Sequence, residues 1–492
     1  MGSITFILLP KIENKIDSMT PVTSTGETNE PVIEEVLSQE QQEKINNQEI
    51  VRNKIETIRK RLALKGLIIE GDSYYREGQL TLALKKYLDF YKKNSEDILI
   101  IEKLGDTYFE MKKFSSAYNY YSKIIEPTEE MKEKTANTLV LTSKPGNIVS
   151  IKETQRTLQD IGLSQEALFY YSTSLSCSND FHGCKKDFGN YFWPEKVEGS
   201  ETGSGSVQEP TITHKKLSRI KESIINYKNF QVDDVYLKDA YIIGTWYTNG
   251  FYNLSSYMGE QLLEEKKDYK PILKIIAQSY FELGEHEESR EVLGEYYEID
   301  DKDAPVSYLL GVVNSKLREY VLANIYFNKA IDLGYQDKSE IYRQLIHNFY
   351  ILENDSSMLE SFTDLIENNN FTQHDLSLGI YYHIIHEEYD KALEWSQKGK
   401  ELFSQESVNF HTYEGWILTE RGEYENAQII LKQGFEIEPE NPFLLINFGY
   451  NALARGEKGE ALIYFKKILS ITPNSEFAST AEEEISKLST NK

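Results

Sequence analysis

The sequence predicts an all-α solenoid of stacked helix hairpins, and three observations predict it. Small residues recur about every 34 positions along much of the chain. A second small-residue column runs in register with the first, twelve positions further on. Apolar residues within each copy follow the i, i+3, i+4, i+7 spacing of amphipathic helices. The composition is that of a folded chain: of 492 residues, 40% are hydrophobic and 27% charged, with 34 Tyr, 22 Phe and only 12 Pro. No single hairpin of this kind can bury its apolar face alone, so the units must stack.

Taken in order, residues 1–32 read as a disordered N-terminal tail and 33–63 as a polar helix. An N-terminal array of about three repeats spans 64–177. Its first copy, Gly71-Asp72-Ser73-Tyr74 with Gly78, Ala83 and Tyr87, returns 34 residues later as Gly105-Asp106-Thr107-Tyr108 with Ala117 and Tyr121. Gly162, Ala167 and Tyr171 read as a third copy. Segment 178–232 breaks the rhythm and contains the Gly/Ser-rich run 198–206, so it reads as an irregular insertion with a flexible linker. A C-terminal array of about seven repeats spans 233–475. Its first column reads Gly244, Ala277, Gly311, Ile346, Ile380, Gly415 and Gly449, at gaps of 33, 34, 35, 34, 35 and 34. Its second column reads Ser256, Ser289, Ala323, Met358, Ala392, Ala427 and Ala461. Pro271 and Pro305 sit where a first helical turn tolerates proline. Pro439 and Pro473 sit where proline stops a second helix. Residues 476–492 read as a polar capping helix and tail, which the end of a solenoid requires.

These motifs resemble the tetratricopeptide repeat (TPR), in which W-x2-L-G-x2-Y is followed by a small residue, an aromatic and a proline. Gly415, Gly422, Tyr424, Ala427 and Pro439 match one copy, and Gly449, Gly456, Ala461, Phe465 and Pro473 match the next. The first position does not hold Trp; Leu67, Ile101, Leu273, Tyr342 and Leu445 stand there, and a large apolar residue of any kind fills it. The resemblance covers 64–173 and 234–473. It implies a right-handed superhelix whose first helices line a concave groove. It also implies groove-facing positions at Tyr308, Arg343, His347, Tyr350, Tyr381, Tyr413, Trp416, Asn447 and Tyr450. Six of these are aromatic, and with Arg and Asn between them they would suit an extended peptide. One TPR subclass clamps a partner's C-terminal carboxylate with Lys and Asn. The corresponding positions here are Lys65, Ile68, Asp72, Glu102 and Asp106, so that clamp is not expected and a basic segment is the better match.

Charge and motif content narrow the function classes further. Lys and Arg total 54 against 79 Asp and Glu, a net charge of −25. A phosphate backbone needs a concentrated basic face, so nucleic-acid binding is not expected, and the partner is expected to be a protein or peptide, neutral or basic. Cys177, His182 and Cys184 lie close together, but six residues separate the cysteines and a structural zinc site uses tighter spacing. A loop disulfide there would imply an oxidising compartment; free thiols are the expectation. His383 and His386, followed by Glu387 and Glu388, share a helix face without the His-Glu-x-x-His order of a zinc hydrolase, and turn position with solvent exposure is the simpler reading. No GxSxG elbow, phosphate loop or dinucleotide fingerprint occurs, so no catalytic residue, metal, cofactor or small-molecule substrate is inferred. No run approaches the length of a membrane-spanning helix, and Ile4–Leu9 is too short. A cytoplasmic, non-enzymatic interaction scaffold is therefore expected, with membrane contact not expected. The rival expectation is an assembly component of a cell envelope or other large complex, making contacts through its convex face and ends. Envelope association would follow if an anchor preceded Lys11 and Lys15.

Overall fold

The structure, a computed structural model, describes residues 66–76, 78–180, 183–184, 215–403, 407–473 and 475–490. The expected tail and polar helix, Lys65, His182, His214 and the Gly/Ser-rich run lie outside them. Among the described residues the regular structure is helical and includes no strand. The chain divides into two compact units, with a boundary between Glu319 and Tyr320.

The first unit contains α1 (66–76), α2 (Leu80–Tyr91), α3 (Ile98–Glu110), α4 (Phe114–Tyr121), α5 (Glu129–Thr142), α6 (Ile148–Asp160) and α7 (Gln165–Asn179). It continues with α8 (Lys215–Asn229), α9 (Val235–Thr248), α10 (Tyr252–Glu265), α11 (Lys270–Leu283), α12 (His286–Ile299) and α13 (Ala304–Lys316). The second contains α14 (Tyr320–Asp332), α15 (Lys338–Ile351), α16 (Asp355–Glu367), α17 (Gln373–Ile385) and α18 (Tyr389–Leu402). It ends with α19 (Ser407–Glu420), α20 (Tyr424–Ile437), α21 (Pro442–Ala454), α22 (Lys458–Ile471) and α23 (Glu476–Thr490).

The two helices of a hairpin start differently. Many first helices open on a side-chain cap: Asp97 accepts from the Ile100 N–H, Asp337 from Glu340 and Asn441 from Leu444, satisfying amide donors that the helix itself leaves unpaired. Second helices follow a tight turn. One residue adopts a left-handed conformation, and the next N–H donates back to the carbonyl five residues earlier, as from Glu285 to Tyr280 at 2.9 Å and from Glu457 to Ala452 at 2.8 Å. This bond closes the C-terminus of the first helix. The left-handed residue is glycine at Gly78, Gly250, Gly284, Gly422 and Gly456, but it is Lys112, Arg318, Glu353 and Glu387 elsewhere.

Packing explains the two columns. Ala83, Ala117, Ser289, Ala323, Met358, Ala392, Ala427 and Ala461 are completely buried. Gly71, Gly105, Gly415 and Gly449 each lie under the side chain sixteen residues on. A Cβ at these positions would fall between 2.3 and 2.5 Å from Tyr87, Tyr121, Leu431 and Phe465 respectively. In the hairpin α9–α10 the columns pass through Ile243 and Ser255, one residue before the expected Gly244 and Ser256. Ser255 donates to the Ile243 carbonyl at 3.1 Å, as Ser289 does to Ala277 at 2.8 Å. Ile243 holds the small-residue position there, and Gly259, sixteen residues on, lies against Ile276 and Ile272 of the next hairpin with no room for a Cβ. In α17–α18 Trp395 covers Gly379, one residue before the expected Ile380.

Two further expectations need correction. Segment 178–232 is not irregular throughout, since α8 lies inside it and buries Leu217, Ile220 and Ile224 in the core formed with Tyr170, Leu175, Ile243 and Trp246. Cys177 and Cys184 are joined in a disulfide within that same core, rather than standing as free thiols. Gly162 is the left-handed turn residue between α6 and α7, with Ala167 and Tyr171 buried behind it. At the far end, α23 buries Ala478 and Ala481 and leaves Glu482 and Glu483 exposed, as a capping helix must.

Candidate functional site

The groove candidates fall into four groups. Tyr413 and Asn447 belong to the core. Tyr413 is 2% exposed and meets Phe443 edge-on at 5.1 Å, and Asn447 is buried, donating to the Phe443 carbonyl at 2.8 Å. Leu444, Leu445 and Phe448 of the same repeat are buried with them. Arg343 serves a junction between hairpins. Its guanidinium donates to Asp375 from Nε at 3.2 Å and from Nη2 at 3.0 Å, and to the Asn370 carbonyl at 3.2 Å. Asp375 also closes a capping box with Thr372 at the start of α17. Burial pushes the Asp375 carboxyl up, but Arg343 and Thr372 outweigh it and hold the group below the ordinary carboxylate range.

Tyr350, Tyr381, Trp416 and Tyr450 remain at least partly open to solvent, as does His347. Tyr450 leans on Phe465 at 5.9 Å. The other three join residues that sequence reading missed into a continuous line of rings. Tyr350 lies 6.2 Å from Tyr382, Tyr382 5.5 Å from Tyr381, and Tyr381 6.0 Å from Trp416. Trp416 is 6.5 Å from Phe443, which is 6.2 Å from Phe477. The line runs over five first helices or their equivalent: α15, α17, α19, α21 and α23. Its contacts are mostly edge-to-face or tilted, the arrangement that ring quadrupoles favour. Ile351 and Ile385, on the same helices α15 and α17, are exposed. Trp416 keeps its indole N–H satisfied by Glu420 at 3.0 Å. Phe443 and Phe477 follow Asn441 and Ser475 by two residues each, and that parallel was the available signal.

Tyr308 lies in the first unit, half-buried on α13. Three carboxylates of the first unit tie neighbouring helices through charge. Asp72 accepts the Tyr87 hydroxyl at 2.6 Å and the Lys103 ammonium at 2.7 Å. Asp106 accepts the Tyr121 hydroxyl at 2.6 Å and Lys134 at 3.0 Å, and Lys134 also reaches Glu102 at 2.9 Å. Asp303 takes the Tyr296 hydroxyl at 2.6 Å and Lys274 at 2.8 Å. Asp72, Glu102 and Asp106, three of the positions compared with the carboxylate clamp, therefore hold the protein's own lysines.

His383 departs from its expected exposure. Its side chain is 2% exposed, Nδ1 lies 2.8 Å from a Glu388 carboxylate oxygen, and the ring stands on Trp395 at 4.6 Å. His386 lies 3.7 Å from Asp355 instead of joining it. Among the described residues no group of three or more His, Cys, Asp or Glu is placed to hold a metal ion. Among the same residues no helix is long and apolar enough to cross a membrane.

No protein-family model and no curated protein matches this chain. Solved structures do match. The chain is similar to the C-terminal part of a TPR repeat-containing protein from Cytophaga hutchinsonii, at 16% identity over 49% of this chain and 98% of that one, with a TM-score of 0.40. It is similar to yeast Tom70 at 14% identity over 87% and 96%, with a TM-score of 0.28. It is also similar to YrrB, a TPR protein with an unusual peptide-binding site, at 18% identity over 46% and 97%, with a TM-score of 0.26. On its own hairpins, turns and buried columns, the chain is, over the described residues, an all-α, degenerate TPR-like repeat array.

Proposed function

We propose that the protein is a non-enzymatic interaction scaffold that holds an extended peptide segment of a partner along the first helices of its second unit. The observation that carries this reading is the continuous line from Tyr350 to Phe477. A line of half-open rings offers rigid apolar area at low entropic cost, which is what a peptide anchor needs. The chain's net charge of −25 favours a neutral or basic partner.

The test compares intact protein with Tyr350→Ala/Tyr381→Ala/Trp416→Ala. A partner captured from the source organism is cut into overlapping peptides, and each is titrated against both proteins. One peptide should bind the intact chain and lose about tenfold or more in affinity to the variant, at unchanged helical content. Equal binding would move the contacts to the second helices and the chain ends. That second reading, an assembly component, draws on Ile429 and Ile463, which are more than half exposed at equivalent positions of consecutive second helices.

A further inference from the structure

The first unit contains a cavity of about 630 Å³ where α1, α3, α4, α5 and the start of α8 meet. This volume lies within the range of small-ligand and side-chain pockets. Tyr75, Phe109 and Tyr121 provide its aromatic wall, and Asp106, Glu110, Glu130 and Glu133 its carboxylates. We propose that this cavity accepts a basic side chain, Arg or Lys, from an extended peptide.

The protein's own lysines show the chemistry that such a site uses. Lys103 is held by the Asp72 carboxylate and lies 5.8 Å from the centre of the Tyr87 ring. Lys274 is held by Asp303 and lies 5.5 Å from the centre of Tyr296. Each is an ammonium placed between a carboxylate and a tyrosine face, a combination of ion pairing and cation–π attraction. The cavity assembles the same two components around open space.

The repeat register explains why the space is there. Lys103 follows Asp72 by 31 residues, and the residue 31 after Asp106 is Asn137, which lines the cavity. A neutral side chain stands where the previous copy supplies its cation. Lys134, one turn earlier on α5, neutralises Asp106 and Glu102 from the side. Glu110 and Glu130 are left with no ion pair among the described residues. Tyr75 registers the resulting field: burial, then the charges of Glu110 and Asp106, push its hydroxyl up. The other lysine in the wall, Lys216, has its amine pushed down by burial against the pull of Glu133.

This site belongs to the first unit and the aromatic line to the second, and one experiment separates the two. The full chain is titrated calorimetrically with acetyl-Ala-Arg-Ala-Arg-Ala-amide and with its citrulline and glutamate counterparts. Citrulline keeps the shape of arginine and removes the charge. The arginine peptide should bind about tenfold more tightly than the citrulline one, and Glu110→Gln/Glu130→Gln should lose about tenfold for arginine alone. Both glutamates are exposed, so these changes leave the core intact. Tyr350→Ala/Tyr381→Ala/Trp416→Ala should retain the arginine peptide in full. Failure of any peptide to bind, equal affinity for citrulline, preference for glutamate, indifference to the double substitution, or loss in the triple variant would each overturn the proposal.

Discussion

The two units solve one packing problem with different chemistry. Both stack helix hairpins, and both close their turns with a left-handed residue. In residues 66–319 successive hairpins are tied by Asp72, Asp106 and Asp303, each shared between a tyrosine hydroxyl and a lysine. In residues 320–490 the rings Tyr382, Tyr381, Trp416, Phe443 and Phe477 run from repeat to repeat, beside the ion pairs Arg343–Asp375, Lys400–Glu414 and Arg421–Asp390, none of which shares its carboxylate with a tyrosine hydroxyl among the described residues. Charged ties use up the polar groups they employ. A line of rings satisfies its neighbours and still leaves apolar edges open. The contrast teaches why aromatic content alone does not locate an interaction surface: Tyr87 and Tyr121 are as aromatic as Tyr381, yet they are consumed by the fold.

The largest effect should come from breaking a charged tie. Asp106→Ala removes the acceptor of both Lys134 and Tyr121 and leaves a buried hydroxyl without its partner. The expected loss is about 2 kcal/mol, reduced from the fully buried case because the carboxylate is partly solvated. Urea denaturation followed by circular dichroism measures it. Raising the salt concentration should shrink the difference between Asp106→Ala and the intact chain, since screening weakens what the substitution removes. A difference unchanged by salt would show that the tie acts through packing.

The aromatic counterpart is Tyr381→Ala/Trp416→Ala. Removing two half-buried rings and their contacts should cost about 1–2 kcal/mol, and this cost should not fall with added salt. If it does, the chemical contrast between the units is wrong.

Much of this architecture was legible in the sequence, for a physical reason. Small residues at fixed spacing report close approach of two backbones, and Gly71, Gly105, Gly415 and Gly449 could be placed because nothing larger fits. The shift from Gly244 to Ile243 was hidden because a glycine beside the column drew the count, although Gly244 has room for a Cβ and Ile243 is the buried residue. Site residues were harder. Counting offsets from a column finds the helix face but not the rotation of a side chain, so Tyr413 and Asn447 were indistinguishable from Trp416 until the packing of Phe443 was known. Arg343 carried a charge that the sequence could not assign to Asp375, 32 residues away. The disulfide was missed because its cysteines meet by a turn of the chain that local composition does not encode.

A smaller and pH-dependent effect distinguishes His383. Burial pushes its pKa down and outweighs the Glu388 hydrogen bond that pulls it up, with Lys391 and His386 adding to the lowering. The unfolded chain binds a proton near pH about 6.5, and the folded chain only below that. The stability this group contributes is therefore complete above the unfolded pKa and is lost as pH falls from there through the folded value. Denaturation midpoints measured on either side of that window should fall toward acid, and His383→Gln should flatten the slope. An unchanged slope would assign the acid sensitivity to other groups, such as His286 in the first unit, whose pKa is also lowered by burial and then by Lys316 and Lys112.

The smallest effect tests the feature the two units share. Glu353 and Glu387 occupy left-handed turn positions at φ of 54° and 60°, where Gly422 and Gly456 stand in the following copies. A side chain with a Cβ is strained there, and glycine is not. Glycine also gives the unfolded chain more freedom, which subtracts from the gain. The net expectation is that Glu353→Gly and Glu387→Gly each stabilise the second unit by about 0.5–1 kcal/mol, and that together they add, because the turns are separate. Thermal unfolding of the single and double variants decides it. Lys112, the corresponding residue of the first unit, should gain less from the same change, because its ammonium is paired with Glu282 at 2.9 Å and glycine would sever that tie. Equal gains at all three positions would mean that the turn alone sets the energy and that the charged ties of the first unit add little to it.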